Sequence, residues 1–145
     1  MSLSDWLRYG WLVEHEPSAG EIRDLFAVID RDLVDCEVEG LSPDWKLGIA
    51  YNAALQAATA ALAASGYRAS REAHHYRVIQ SLPLTVGAPA SVVARMDLFR
   101  KKRNLGGYER AGASSFREAG EMIVLAREIS ETVRRWLAAE HPDLL

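Results

Sequence analysis

The 145-residue chain has a single cysteine, Cys36, which excludes an intrachain disulfide framework and any cysteine-rich zinc site. It has no unbroken apolar run of about 18 residues, and on that ground no membrane span is expected. The opening stretch MSLSDWLRYGWLVEHEP lacks the basic start and apolar block of a secretory signal. No glycine-rich phosphate loop follows a strand-like segment, and no G-x-S-x-G elbow occurs. The histidines are His15, His74, His75 and His141, and no two stand four apart, so a helical metal pair is missing and no metal or cofactor is expected. Glu14, His15 and Glu16 are adjacent and point in different directions, which suits an exposed polar turn. What is present is a globular balance, with 26% charged and 49% hydrophobic residues, expected in the cytoplasm.

The net charge of −3 hides an asymmetry. Residues 1–44 hold 3 basic and 11 acidic residues, a net of −8. Residues 95–110 hold Arg95, Arg100, Lys101, Lys102, Arg103 and Arg110 against Asp97 and Glu109, a net of +4. A local basic cluster on an acidic protein suits a polyanion, because phosphate attraction is short-ranged and screened by salt. It equally suits a solvated helix face that balances the acidic half.

Helical periodicity runs through the chain, and no segment has the alternation of a strand. Ser18 to Glu21 reads as a capping box. Ile22, Leu25, Phe26, Ile29, Leu33 and Cys36 then fall on one face, with Asp24, Asp30, Arg31 and Asp32 on the other, and Gly40 is expected to stop the helix. Ser42 can cap a second helix, with Pro43 and Asp44 in its first turn. It runs from Trp45 to Ser65 with many alanines, Gly48 as its only weak point and Gly66 beyond its end. So thin a helix suits the centre of a bundle. A third helix is expected over Ser70 to Leu82, and a fourth from Pro89 to Asn104 with Val92, Val93, Met96 and Phe99 inward. A second capping box at Ser115 to Glu118 opens the last helix. There Phe116, Ala119, Met122, Ile123, Ala126, Ile129, Val133 and Leu137 recur at helical spacing, and His141-Pro142 ends it. The expected fold is all-α, an up-and-down bundle of four to five helices. Residues 18–145 form its single domain. Residues 1–17, with Trp6, Tyr9 and Trp11, form an aromatic segment that packs on the bundle or on a partner.

The residues that can carry chemistry gather in Arg100-Lys101-Lys102-Arg103-Asn104-Leu105-Gly106-Gly107-Tyr108. A guanidinium presents fixed donors that match a phosphate bidentately. Two glycines free the backbone, so that Tyr108 can fold back toward Arg103. The same residues also fit an ordinary helix C-terminus, where cations complement the dipole and glycines end the helix. Cys36 lies on an apolar face as a small hydrophobe. His74 and His75 are adjacent, so one of them is expected to face inward as a structural histidine.

Arg103-Asn104-Leu105-Gly106-Gly107-Tyr108 resembles the signature of the HEPN superfamily, all-helical domains of prokaryotic toxin–antitoxin and defence systems. In that family an Arg is followed by a polar residue and, after four to six intervening residues, by a His. The stretch from Tyr51-Asn52 to Leu62, closing at Gly66-Tyr67, resembles the family's Tyr- and Ala-rich helix, and the segment from Ala119-Gly120-Glu121 to Trp136-Leu137 its last helix. The resemblance spans roughly residues 18–140. It implies a HEPN-like bundle that binds RNA and cleaves it without metal, the ribose 2′-OH attacking the adjacent phosphate while an Arg steadies the developing charge. Carried over, Arg103 contacts the phosphate, Asn104 orients it, and Arg100, Lys101, Lys102 and Arg110 hold the RNA backbone. Tyr108 stands where the family has its catalytic His. With a reference pKa of about 10, a tyrosine is a poor base at neutral pH, though it can still donate a hydrogen bond to phosphate. In certain toxins of the family a Tyr two positions further on is modified by a partner nucleotidyltransferase; here Arg110 occupies that position, so this mode does not transfer directly. The resemblance further implies a homodimer with both motifs facing one cleft, and a cognate antitoxin or nucleotidyltransferase as partner.

Three functions follow. The first is a HEPN-like RNA-binding protein acting as a metal-independent ribonuclease toxin. The second is a catalytically inactive dimerisation or interaction module, an antitoxin or regulatory partner. The third is a small-molecule-binding regulator, which would need a large buried void beside Tyr51.

Overall fold

In the computed structural model, which describes residues 1–104 and 111–145, everything is arranged around α3 (Pro43–Ala64). Alanines occupy positions 50, 53, 54, 57, 58, 60, 61, 63 and 64, all of them buried. A helix apolar on every side is a buried helix. The longest partners of α3 are α2 (Ala19–Asp35) and α7 (Phe116–Glu140), and α7 makes the more extensive contact. α4 (His74–Gln80), α5 (Leu82–Thr85) and α6 (Ala90–Asn104) pack against it as well. The fold is a mostly helical, all-α bundle. By length and composition α3 is apolar enough to cross a membrane, and in this fold most of it is buried against other helices.

Capping explains the helix starts. Ser42 Oγ accepts the Trp45 amide, and Pro43 opens α3. Ser115 and Glu118 form a reciprocal capping box for α7. At α2 only half of the expected box forms. Ser18 Oγ accepts the Glu21 amide, but the Glu21 carboxylate turns to His15 Nε2 at 2.7 Å. α2 also ends earlier than Gly40, at Asp35 with Cys36 as its cap, and Gly40 forms the following turn with φ +89°. Lys46 Nζ donates to the Cys36 and Val38 carbonyls at 3.2 Å each, which supplies partners near that end.

Two strands depart from the all-helical expectation. β1 (Leu12–Glu14) and β2 (Tyr67–Ala69) pair antiparallel, Leu12 opposite Ala69. Ser70 extends the contact by donating to the Trp11 carbonyl from both its amide and its hydroxyl. The helix expected from Ser70 is therefore delayed to His74, behind Ala73 in the left-handed region at φ +53°. It then breaks at Ser81 into α5, with Pro83 in the first turn. Trp6 of α1 (Leu3–Arg8) is buried, Trp11 meets it edge-on at 5.7 Å, and the Arg77 guanidinium lies 3.6 Å above the Trp11 ring.

Side-chain placement differs from the expected pattern in two instructive cases. Phe116 is 66% exposed, because the first turn of α7 precedes the contact with α3. Asp32, expected on the solvent face of α2, is 5% exposed, with Asn52 Nδ2 of α3 donating to it at 2.7 Å and Arg31 at 2.9 Å.

Candidate functional site

The last turns of α6 carry Arg100, Lys101, Lys102 and Arg103, where cations complement the helix dipole. Their directions differ. Arg100 Nε bonds Asp97 at 2.8 Å, and Lys101 Nζ approaches the same carboxylate at 3.4 Å. Burial alone would raise the Asp97 pKa, but these two cations hold it below the ordinary carboxylate value. Lys102 Nζ meets Glu118 at 3.0 Å and so joins α6 to the start of α7. That contact, with the Ser115 amide, lowers the Glu118 pKa. Three cations, Arg100, Lys101 and Lys102, thus share the two carboxylates of Asp97 and Glu118.

Arg103 turns across α3. A Cβ built on Gly48 would lie 3.9 Å from Arg103 Cγ, an ordinary contact distance, so the arginine stem passes directly over this position of α3. The guanidinium lies 5.7 Å from the Tyr51 ring centre, one helical turn along α3. Tyr51 is 1% exposed, and its hydroxyl has no hydrogen-bond partner among the described residues. Burial pushes its pKa up to about 12, with Asp97 adding and Arg103 and Arg100 opposing. The phenol is therefore a neutral donor at physiological pH.

From α4, the His75 ring comes to 6.1 Å from the Tyr51 ring. Burial, then the charges of Arg103, His74 and Arg100, push the His75 pKa below its ordinary value. The Arg100 guanidinium lies 5.7 Å from the ring of Tyr76. Arg100, Arg103, Tyr51 and His75 thus form one cluster contributed by α3, α4 and α6. On the other side of Arg103 a cleft of about 290 Å³ opens between α2 and α3, with Trp45, Gly48, Asn52 and Asp32 among its walls. Tyr51 does not line it, so it is not the void beside Tyr51 that a small-molecule regulator would need.

Of the residues expected from the sequence, Arg100, Lys101, Lys102 and Arg103 come together at the end of α6, and Asn104 is its exposed last residue. Tyr108 and Arg110 lie outside the described residues. Two members of the cluster were not singled out for chemistry. Tyr51 is the one tyrosine in an alanine-rich helix, three residues after its lone glycine. His75 is one of an adjacent pair whose inward member periodicity alone did not settle, because the helix starts later than expected. Cys36 is buried, and burial raises its pKa, which leaves it a packed thiol. No family model, no curated protein and no solved structure matches the chain.

The cluster combines a guanidinium that can grip an oxyanion, a neutral imidazole that can accept a proton, and further cations that attract a polyanion.

Proposed function

We propose that the chain is a HEPN-like RNA-binding protein that cleaves RNA without metal, as the toxin half of a toxin–antitoxin pair. The observation that carries this reading is the position of Arg103, lying over Gly48 and Tyr51 with Arg100 and His75 close by. Arg103 binds the scissile phosphate, Asn104 orients it, and Tyr108 donates a hydrogen bond to it. Arg100, Lys101, Lys102 and Arg110 hold the flanking backbone through charge. The residue pattern from Arg103 to Tyr108 supports the reading from the sequence side. Two copies acting as a homodimer would bring two such helix ends to one cleft, and a purely monomeric protein by sedimentation equilibrium would remove that part.

A single-stranded RNA mixture incubated with the protein in chelator tests the activity. Wild type is expected to cleave it, and Arg103→Ala to be slower by about 100-fold, the scale of one lost oxyanion donor. Equal products from the two proteins would end the nuclease reading.

The ion pair Lys102–Glu118, which ties α6 to α7, and the Arg100–Asp97 pair within α6 favour a second reading, in which these charges hold the scaffold of a catalytically inactive interaction module. That module would leave RNA intact, and Tyr108→Phe would be silent in a growth assay.

A further inference from the structure

We infer that His75 is the base that takes the proton from the attacking ribose hydroxyl, the part left unfilled by a tyrosine at position 108. The inference rests on the RNA-cleaving reading above and adds to it a residue from a different helix. Three observations carry it.

The first is position. Arg103 and His75 both approach the same buried ring, at 5.7 and 6.1 Å from its centre, so their separation is at most about 12 Å. A phosphate gripped by the guanidinium, with its neighbouring 2′-oxygen in hydrogen-bond reach of an imidazole, spans about 9 to 10 Å between the two groups. The bound keeps the pair within the reach of one phosphodiester.

The second is elimination among the histidines. His15 is engaged by Glu21. His141 meets Trp136 with ring centres 4.9 Å apart and planes tilted by 59°, at the far end of α7. His74 neighbours His75 at 6.1 Å and turns a different way from the helix.

The third is charge state. The groups that bear on His75 are Arg103 and Arg100 of α6 and His74 of its own helix. Asp97 of α6 is taken by Arg100 and Lys101, and Tyr51 of α3 stays neutral. Cations and burial together keep the ring unprotonated at pH 7, the state a base requires.

In the step, the 2′-hydroxyl proton passes to His75 as the 2′-oxygen bonds to phosphorus. The bond from phosphorus to the 5′-oxygen breaks, and that oxygen takes a proton from water. A 2′,3′-cyclic phosphate and a 5′-hydroxyl result, and the imidazolium returns its proton to solvent.

The test separates binding from cleavage. Binding is read by fluorescence anisotropy on a labelled single-stranded oligonucleotide with 2′-deoxy sugars, and cleavage on the all-ribose version in chelator. His75→Ala is expected to bind within about twofold of wild type and to cleave at least about 100-fold more slowly. Added imidazole should restore part of its rate. The wild-type rate should rise with pH and level off through a midpoint below 6.5, and His75→Gln, which also serves if the alanine variant fails to fold, should lack that limb. Cleavage by either variant within threefold of wild type, or retention of the limb, would overturn the assignment and leave the RNA reading standing. Wild type that binds but never cleaves would also overturn it. Wild type that neither binds nor cleaves would take down the underlying reading with it.

Discussion

At the residue scale, the most consequential polar contact outside the cluster is Asp32 with Asn52. It bridges α2 and α3 at 2.7 Å inside the packed interface, and Arg31 covers the other oxygen. Asn52→Leu would leave one carboxylate oxygen buried without its donor, at a cost of about 1–3 kcal/mol. Urea denaturation should show a lower midpoint with an unchanged slope. Neither residue of this pair could be read as a contact from the sequence. Asp32 falls among Asp24, Asp30 and Arg31, and a periodic pattern assigns all four to solvent. Its burial depends on the crossing with α3, which local spacing does not encode. Arg103 was the reverse case. Its residue type and its place at a helix end are visible in the sequence, whereas its turn across α3 beside Gly48 is a contact between helices that local spacing does not encode.

At the element scale, the capping residues were legible. Ser42 and Pro43 start α3, and Ser115 with Glu118 starts α7, because these signals act within one turn. The two strands were not. Three residues are too few for alternation to register, and their pairing joins segments more than fifty residues apart. That pairing is also what pushes the start of α4 to His74, and so decides which histidine reaches Tyr51. Gly48 allows a prediction about α3. The 3.9 Å approach of Arg103 is an ordinary contact distance, so Gly48→Ala fits and should stabilise the helix by about 1 kcal/mol. Thermal melting should show a higher Tm with RNA binding retained. Gly48→Leu should instead displace the Arg103 stem and weaken RNA binding. Equal binding by both variants would show that the arginine does not depend on that gap.

At the scale of the whole molecule, charge is sorted. Part of the acidic first third finds partners on α7, as Asp30 with Arg134 at 2.6 Å and Glu37 with Arg127 at 3.0 Å. Residues 95–110 carry a net charge of +4 in sequence, although the chain is acidic overall. The response of stability to pH follows from the same arrangement. The pKa of His75 is lower in the folded protein than in the unfolded chain, so the unfolded state binds more protons, and stability falls as pH drops below about 6.5. Asp97 and Glu118 have lowered values, so their contributions are present above their unfolded values of 3.8 and 4.5 and are lost as the pH falls further. Melting curves should therefore decline in two stages, and His75→Gln should remove the first. A single decline confined to pH below 5 in wild type would contradict the half-buried setting of His75 beside Arg103 and Arg100.

The central claim is that the end of α6 grips the phosphates of RNA, and the salt dependence of binding tests it most directly. Anisotropy titrations of a single-stranded RNA with wild type and Arg103→Ala, from low to high salt, give log K against log salt. For wild type the account predicts tight binding at low salt and a steep linear loss with added salt. Arg103→Ala should bind more weakly, with a slope shallower by about 0.7, the counterion released by one contact on a single strand. Identical lines for the two proteins, or a wild-type affinity indifferent to salt, would contradict it.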